Sequence, residues 1–340
     1  MKRTGVLLIQ LGTPDSPKVG DVRRYLREFL NDPRVIDIPW LPRKLLVNGI
    51  IVPFRAPKSA KIYQELWKLG EGVSPLITHT DNLCKALEKR FEGEQVTFEV
   101  AMRYQNPSMD KVLERMRKAN YDRIVILPLF PQYASATSGS AVEKAMRIIR
   151  KWWVIPEVKI VGQFWDNEGY IASIVERAKL FNLEDYDHIL FSYHGLPERQ
   201  VDKVYEDTDL CEDQPCETEI NQKNKFCYKA TSYATTRLIA EKLGIPEEKY
   251  TVCFQSRLDK KWLRPFSDDV VEERAKKGAK KLLVFSPAFV ADCLETLIEI
   301  GDEYQEIFEE HGGEKVQLVP SSNDHPRFID GLEEIVRRQL

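Results

Sequence analysis

One histidine and a row of carboxylates carry the spacing of a reactive centre in this 340-residue chain. His194 follows the apolar run Ile189–Ser192 and precedes Gly195, Leu196 and Pro197, a sequence that stops a strand. An imidazole at the carboxyl end of a parallel strand stands at the ligand edge of its sheet. There it can take a proton or bind a metal near neutral pH. The plainer use of such a ring is to satisfy a turn carbonyl. The second group follows the run Lys281–Phe285: Glu295, Glu299 and Glu303 recur four residues apart, and Asp292 precedes Glu295 by three. On a helix those spacings put all four carboxylates on one face, where they repel unless cations or protons intervene. Most such rows are solvated faces. This one starts at a strand end among Phe289, Val290, Leu294 and Leu297. A carboxylate line from surface to cleft suits the passage of a hard divalent cation or of protons.

Cysteine offers a third chemistry. Of Cys84, Cys211, Cys216, Cys227, Cys253 and Cys293, three crowd into one polar, charged stretch at about 198–228. The opening MKRTGVLLIQLG has an apolar run too short for a secretion signal, without a small-residue cleavage site and with Gln10 inside it. A buried first strand fits it better. Without a secretion signal the cysteines point to metal, catalysis or packing before disulfides.

The elements that position these groups read as alternating strand and helix. Strands are expected at Val6–Leu11, Thr97–Ala101, Arg123–Leu127, Val158–Gly162, His188–Ser192, Thr251–Phe254, Lys281–Phe285 and Val316–Val319, with helices such as Met109–Ala119 and Thr231–Leu243 between them. That order predicts an α/β protein with parallel sheets flanked by helices. Val6–Pro14 resembles Ile189–Pro197, and Arg123–Glu143 resembles Lys281–Glu299, which suggests two similar Rossmann-like lobes with a cleft between them. The lobes are expected at 1–165 and 166–340. An apolar, proline-interrupted lip lies at about 39–57 in the first, and the cysteine-containing insertion lies in the second. With 43% hydrophobic and 30% charged residues and a net charge of -3, the composition is that of a globular protein. It offers no basic field for nucleic acid and no run long enough to span a bilayer.

The chain resembles the ferrochelatases. Leu190–Pro197 (LFSYHGLP) looks like the family's histidine motif and Phe289–Ile300 (FVADCLETLIEI) like its acidic motif. Gln10–Pro14, Arg103–Tyr104, Pro131–Ser140, Phe254–Arg257 and Trp262–Pro265 match further motifs in family order over nearly the whole length. The resemblance implies a lyase that inserts Fe²⁺ into protoporphyrin IX to form protohaem. His194 and Glu295 would be the catalytic pair, facing across the cleft, with His194, Glu295, Glu299 and Glu303 meeting the metal. It implies porphyrin contacts at Arg55, Tyr63, Ser74, Arg103, Tyr104, Gln255 and Trp262, with Asp292 orienting the site; arginine suits a propionate through bidentate hydrogen bonds. Some microbial members hold a [2Fe–2S] cluster in a comparable loop. Such a cluster takes four thiolates, and the candidate set here is Cys211, Cys216, Cys227 and Cys253. Glu217 and Ser232 stand where further ligands are expected, so a cluster, zinc and no metal all stay open.

Three other functions compete: a ferrochelatase acting on coproporphyrin, a related chelatase loading cobalt into a corrin precursor, and a porphyrin or haem carrier without catalysis. The motifs QSR and WLRP favour the iron enzyme, and a carrier would need no acidic row. Expected partners are a porphyrin, ferrous iron, an upstream porphyrin-making enzyme and an anionic membrane surface. The last is met by Trp40–Phe54, where basic and apolar residues interleave. The expected location is the cytoplasm, peripheral on the inner membrane face.

Overall fold

A computed structural model of the chain describes residues 2–205 and 210–340. Of the expected insertion at about 198–228, residues 206–209 lie outside the described residues. Among the described residues there are eight strands: β1 Thr4–Gln10, β2 Val96–Met102, β3 Arg123–Pro128, β4 Glu157–Ile160, β5 His188–His194, β6 Tyr250–Gln255, β7 Lys281–Phe285 and β8 Lys315–Leu318. All their pairings are parallel, in two sheets ordered β2-β1-β3-β4 and β6-β5-β7-β8. Central strands of such sheets are covered on both faces. Accordingly β1 and β3 are buried along their whole length. The short edge strands β4 and β8 carry charges and stay partly open.

By its internal contacts the chain divides into two compact units. One comprises the chain up to Phe130, Ser135–Gln163 and Leu332–Leu340; the other comprises Pro131–Ala134 and Phe164–Gly331. Each has one sheet and its own apolar core. In the first, Leu7, Ile9, Ile124 and Ile126 meet helix residues Val112, Leu113, Ala141 and Ala145. In the second, Leu190, Leu282 and Val284 meet Val271, Ile300 and Phe308. The same strand order in both units matches the duplication suggested by the motifs.

Glycine requirements repeat as well. Just past β1, Gly12 has φ +109°, and a Cβ there would sit 2.1 Å from the Tyr104 carbonyl oxygen. Just past β5, a Cβ on Gly195 would sit 2.7 Å from the Gln255 carbonyl oxygen. In each unit the turn after the first strand runs against backbone that follows a neighbouring strand, which leaves room only for glycine.

The lip differs in form from its sequence reading. Residues 40–69 are helical throughout: Trp40–Leu45, a π-helical Leu46–Ile51, then Val52–Leu69. Pro39 precedes the first helix and Pro42 lies in its first turn, while Pro53 and Pro57 lie farther along the helical run. Proline is tolerated in a first turn, where the amide proton has no helical partner, so Pro39 and Pro42 mark the start of the lip.

Candidate active site

His194 and the whole acidic row lie in the second unit. His194 ends β5, and its register partner on β6 is Gln255. Its Nδ1 is 2.7 Å from the Gly195 carbonyl oxygen. A carbonyl only accepts, so Nδ1 carries the proton and Nε2 keeps its lone pair for a proton or a metal. The ring is half-buried, with Phe289 edge-on at 6.4 Å between centroids. The turn carbonyl is thus satisfied by one nitrogen, and the other stays available for chemistry.

Gln255 links this strand end to the acidic row. Its Oε1 accepts from Ser192 Oγ at 3.0 Å, while its Nε2 donates to the Glu295 carbonyl oxygen at 3.2 Å and to Glu299 Oε2 at 3.1 Å. Ser256 Oγ also donates to Glu299 Oε2. Ser256 has φ +63°, a left-handed conformation uncommon for a residue with a side chain, and it turns the hydroxyl onto Glu299. The sequence reading missed Ser256, although it sits inside the FQSR motif. Gln255, expected at the porphyrin wall, has both ends of its amide bonded within the unit.

The row is not an ordinary α-helix. Glu295–Glu303 is π-helical and continues as an α-helix over Tyr304–Glu310. Long π stretches are rare, and short ones gather at functional sites. Glu295 and Glu299 are half-buried and Glu303 is exposed, so the row runs from solvent inward. Burial first, then the neighbouring charge of Glu295, pushes the Glu299 carboxyl up to about 7 against the opposing bonds from Ser256 and Gln255. A carboxyl in that range takes up or gives up a proton near neutrality.

Asp292 is buried and bonded internally. It accepts from Asn323 Nδ2 at 2.7 Å and the Ser321 amide at 3.1 Å, and the Asp292 amide donates back to Asn323 Oδ1 at 2.8 Å. It therefore ties the turn before Glu295 to the loop after β8, which is an orienting part. Trp262 is half-buried and bridges through its backbone to Pro197, and its ring edge would lie 3.3 Å from a Cβ on Gly195.

The remaining expected porphyrin contacts lie in the first unit. Arg55 is exposed, Tyr63 is buried edge-on to Tyr25 and Trp67, and Ser74 is buried with a hydroxyl that has no bonded partner. Arg103 and Tyr104 are enclosed. The Arg103 guanidinium donates to Asp32, its Nε donates to Ser140 Oγ at 2.6 Å, and the Tyr104 hydroxyl donates to Asp32 at 2.9 Å. The resemblance implies a propionate for Arg103; in the structure its donors hold Asp32 and Ser140.

Burial alone would raise the Asp32 carboxyl, but bonds from Ser140, the Arg34 amide, Arg103 and Tyr104 outweigh it and hold the group below the usual range. A lowered folded-state pKa contributes stability above the unfolded value, and that stability is lost as pH falls through the folded one. Asp32→Asn leaves the Arg103 charge buried and uncompensated, and is expected to cost about 3 kcal/mol at neutral pH. Urea unfolding at pH 7 and pH 3 measures this: the variant's deficit should shrink toward the acid end. An equal deficit at both pH values would mean that shape, and not charge, is what Asp32 supplies.

The three loop cysteines come together. Their Sγ atoms are 3.6 Å apart for Cys211 and Cys227, 3.8 Å for Cys216 and Cys227, and 3.9 Å for Cys211 and Cys216, and all three are buried. The Tyr205 hydroxyl lies 3.0 Å from Cys216 Sγ. Among the described residues, they form the one group of three or more histidine, cysteine or acidic side chains close enough to share a metal ion. Cys253, suggested as a fourth thiolate, does not join them. It belongs to β6 and packs in the core of the second unit with Sγ 3.8 Å from the Phe191 carbonyl oxygen.

Paired parallel sheets of this order, with a strand-end histidine beside a carboxylate row, define a chelatase-type protein. The solved structure of SirB from Bacillus subtilis with Fe³⁺ shares the fold at a TM-score of 0.59, with 12% identity, over 99% of this chain and 95% of that one. A family model described as Ferrochelatase matches residues 3–340. Proteins named ferrochelatase are 44% identical over 339 residues in Legionella pneumophila (strain Corby) and 40% identical over 341 residues in Coxiella burnetii (strain Dugway 5J108-111). Both alignments take in 99% of this chain, and they cover 100% and 94% of those proteins respectively. The chain belongs to the ferrochelatase family and is an enzyme, a metal chelatase of haem and porphyrin biosynthesis.

Proposed function

We propose that the chain inserts ferrous iron into protoporphyrin IX to give protohaem and two protons. The observation that carries this is the linked array of His194, Gln255, Glu295 and Glu299 in a chain of this family. The reaction removes two pyrrole protons as one dication enters. His194 Nε2 supplies the lone pair for a proton, and Glu299 is a carboxyl able to pass one on. Glu303, exposed at the outer end of the row, is the first carboxylate to meet iron; Glu295, at the inner end, is the last. In the second unit Trp262 contacts porphyrin and Asp292 holds the turn before Glu295; in the first unit Arg55, Tyr63 and Ser74 are the porphyrin contacts, with Arg103 and Tyr104 supporting that unit from within. Incubation with protoporphyrin and Fe²⁺ or Zn²⁺ in the absence of air, followed by absorbance, should show the metalloporphyrin forming. Faster turnover of coproporphyrin than of protoporphyrin would reassign the substrate.

We also propose that the helical lip rests weakly on an anionic membrane surface on the cytoplasmic side. No helix of the described residues is long and apolar enough to cross a membrane. The lip nevertheless exposes Trp40, Leu41, Leu45, Ile50 and Phe54, Phe54 by 74% of its surface. Val47 and Val52 are buried and anchor the lip to its unit. Apolar tips flanked by Lys44 and Arg55 suit an anionic interface, whereas Arg43 is buried and donates to the Ile36 and Ile38 carbonyl oxygens. Replacing Leu45, Leu46 and Ile50 by Ser should reduce co-sedimentation with anionic vesicles several-fold at low salt while leaving thermal unfolding unchanged. An intact protein that stays in the supernatant would confine the lip to covering porphyrin.

A further inference from the structure

We infer that Cys211, Cys216 and Cys227 bind one tetrahedral metal ion, of which zinc is the natural occupant, and not a [2Fe–2S] cluster. A thiolate sits about 2.3 Å from zinc, so two corners of one tetrahedron are separated by about 3.8 Å. All three Sγ separations, 3.6, 3.8 and 3.9 Å, match that edge. A [2Fe–2S] cluster is held by four thiolates, two on each iron. Any three of those four include a pair on different irons, farther apart than one tetrahedral edge. Three equal edges therefore describe three corners around a single ion. Among the described residues no fourth thiolate joins the three, and Cys253 on β6 points its sulfur toward the Phe191 carbonyl oxygen. Ser232 is buried and donates its hydroxyl to the Tyr228 carbonyl oxygen at 2.8 Å.

The surroundings fit a cation site. A cleft of about 590 Å³ reaches Cys211 and is lined by Glu198, Asp202, Glu212, Glu217, Asp269 and Glu273 against two cations, Arg264 and the Lys229 that pairs with Glu217, so carboxylates outnumber cations. That is an acidic approach for a divalent ion, and water from the cleft can complete the tetrahedron. Outer partners are in place as well. Asp202 Oδ1 accepts from the Cys211 amide at 3.0 Å, and Tyr205 and Asn224 turn their donors toward Cys216. Among its described residues the segment has little regular structure beyond the short turns Glu198–Asp202 and Cys211–Asp213. An ion joining residues 211, 216 and 227 would therefore hold it folded.

The test uses the full-length protein purified without air and without porphyrin. Elemental analysis should find about one zinc per chain and no acid-labile sulfide, with the zinc lost in Cys216→Ser. X-ray absorption at the zinc edge should show a sulfur-rich shell. Because Cys216→Ser can unfold the loop, the intact protein is also stripped with chelator and titrated with Co²⁺. The intense thiolate-to-cobalt absorption of a tetrahedral site should saturate at one equivalent and disappear on adding Zn²⁺. Iron with equimolar labile sulfide would establish a cluster and overturn the inference. So would a zinc-free protein whose thiols give no cobalt–thiolate absorption.

Discussion

His194→Ala is expected to slow metal insertion by a factor of about 10²–10⁴ while porphyrin still binds to within a few-fold of the intact protein. The turn after β5 fixes the ring through Nδ1 and the Gly195 carbonyl oxygen, which leaves Nε2 as the basic atom. Truncation removes that atom without touching the flat, apolar surfaces that hold a porphyrin. Insertion followed by absorbance gives the rate, and quenching of protein fluorescence gives the binding. Comparable losses in both would make His194 a binding residue, and near-normal turnover in a folded variant would remove it from the chemistry altogether.

Glu295→Gln should come close to the same loss, at about 10² or more in kcat. The amide keeps the shape of the side chain but gives up its charge and its affinity for protons. Glu303→Gln should behave differently, raising the metal concentration needed for half-maximal rate several-fold and leaving kcat nearly unchanged. The difference comes from position: Glu303 is exposed, whereas Glu295 lies half-buried, its carbonyl oxygen bonded by Gln255 beside the end of β5. Steady-state kinetics in metal at saturating porphyrin separates the two effects. If Glu303→Gln is the one that lowers kcat, the row runs in the opposite sense.

Much of this was legible in the sequence, for reasons that differ by element. Each of the eight expected strands is present, with ends displaced by two residues at most; central strands such as β1 and β3 read as unbroken apolar runs because both their faces are buried. The helix expected over Met109–Ala119 has those bounds in the structure. His194 stood out because strand ends in parallel sheets are where ligands bind, and the carboxylates stood out by their four-residue period. That period, however, cannot tell an α-helix from a π-helix, since both bring residues four apart close together. Nor does spacing reveal partners distant in sequence. Arg103 looked like an anion binder because Asp32, 71 residues away, could not be anticipated. The helical form of the lip was hidden by its four prolines, of which only Pro39 and Pro42 stand at a helix start. The meeting of Cys211, Cys216 and Cys227 obeys no periodicity at all.

The π-helical stretch Glu295–Glu303 also sets a limit on how this segment can vary in length. Its backbone carries one residue more per bonded turn than an α-helix closes. Deleting a single residue there, Leu297 for example, would let the segment relax to the commoner geometry and regularise its hydrogen bonds. It would also bring Glu295 and Glu299 from four residues apart to three, changing both their angle and their spacing along the axis. Glu295 could then no longer present its carbonyl oxygen to Gln255 while Glu299 meets Ser256. Such a deletion would trade the reactive array for a steadier helix, so the surplus residue is the part of the segment that function keeps in place.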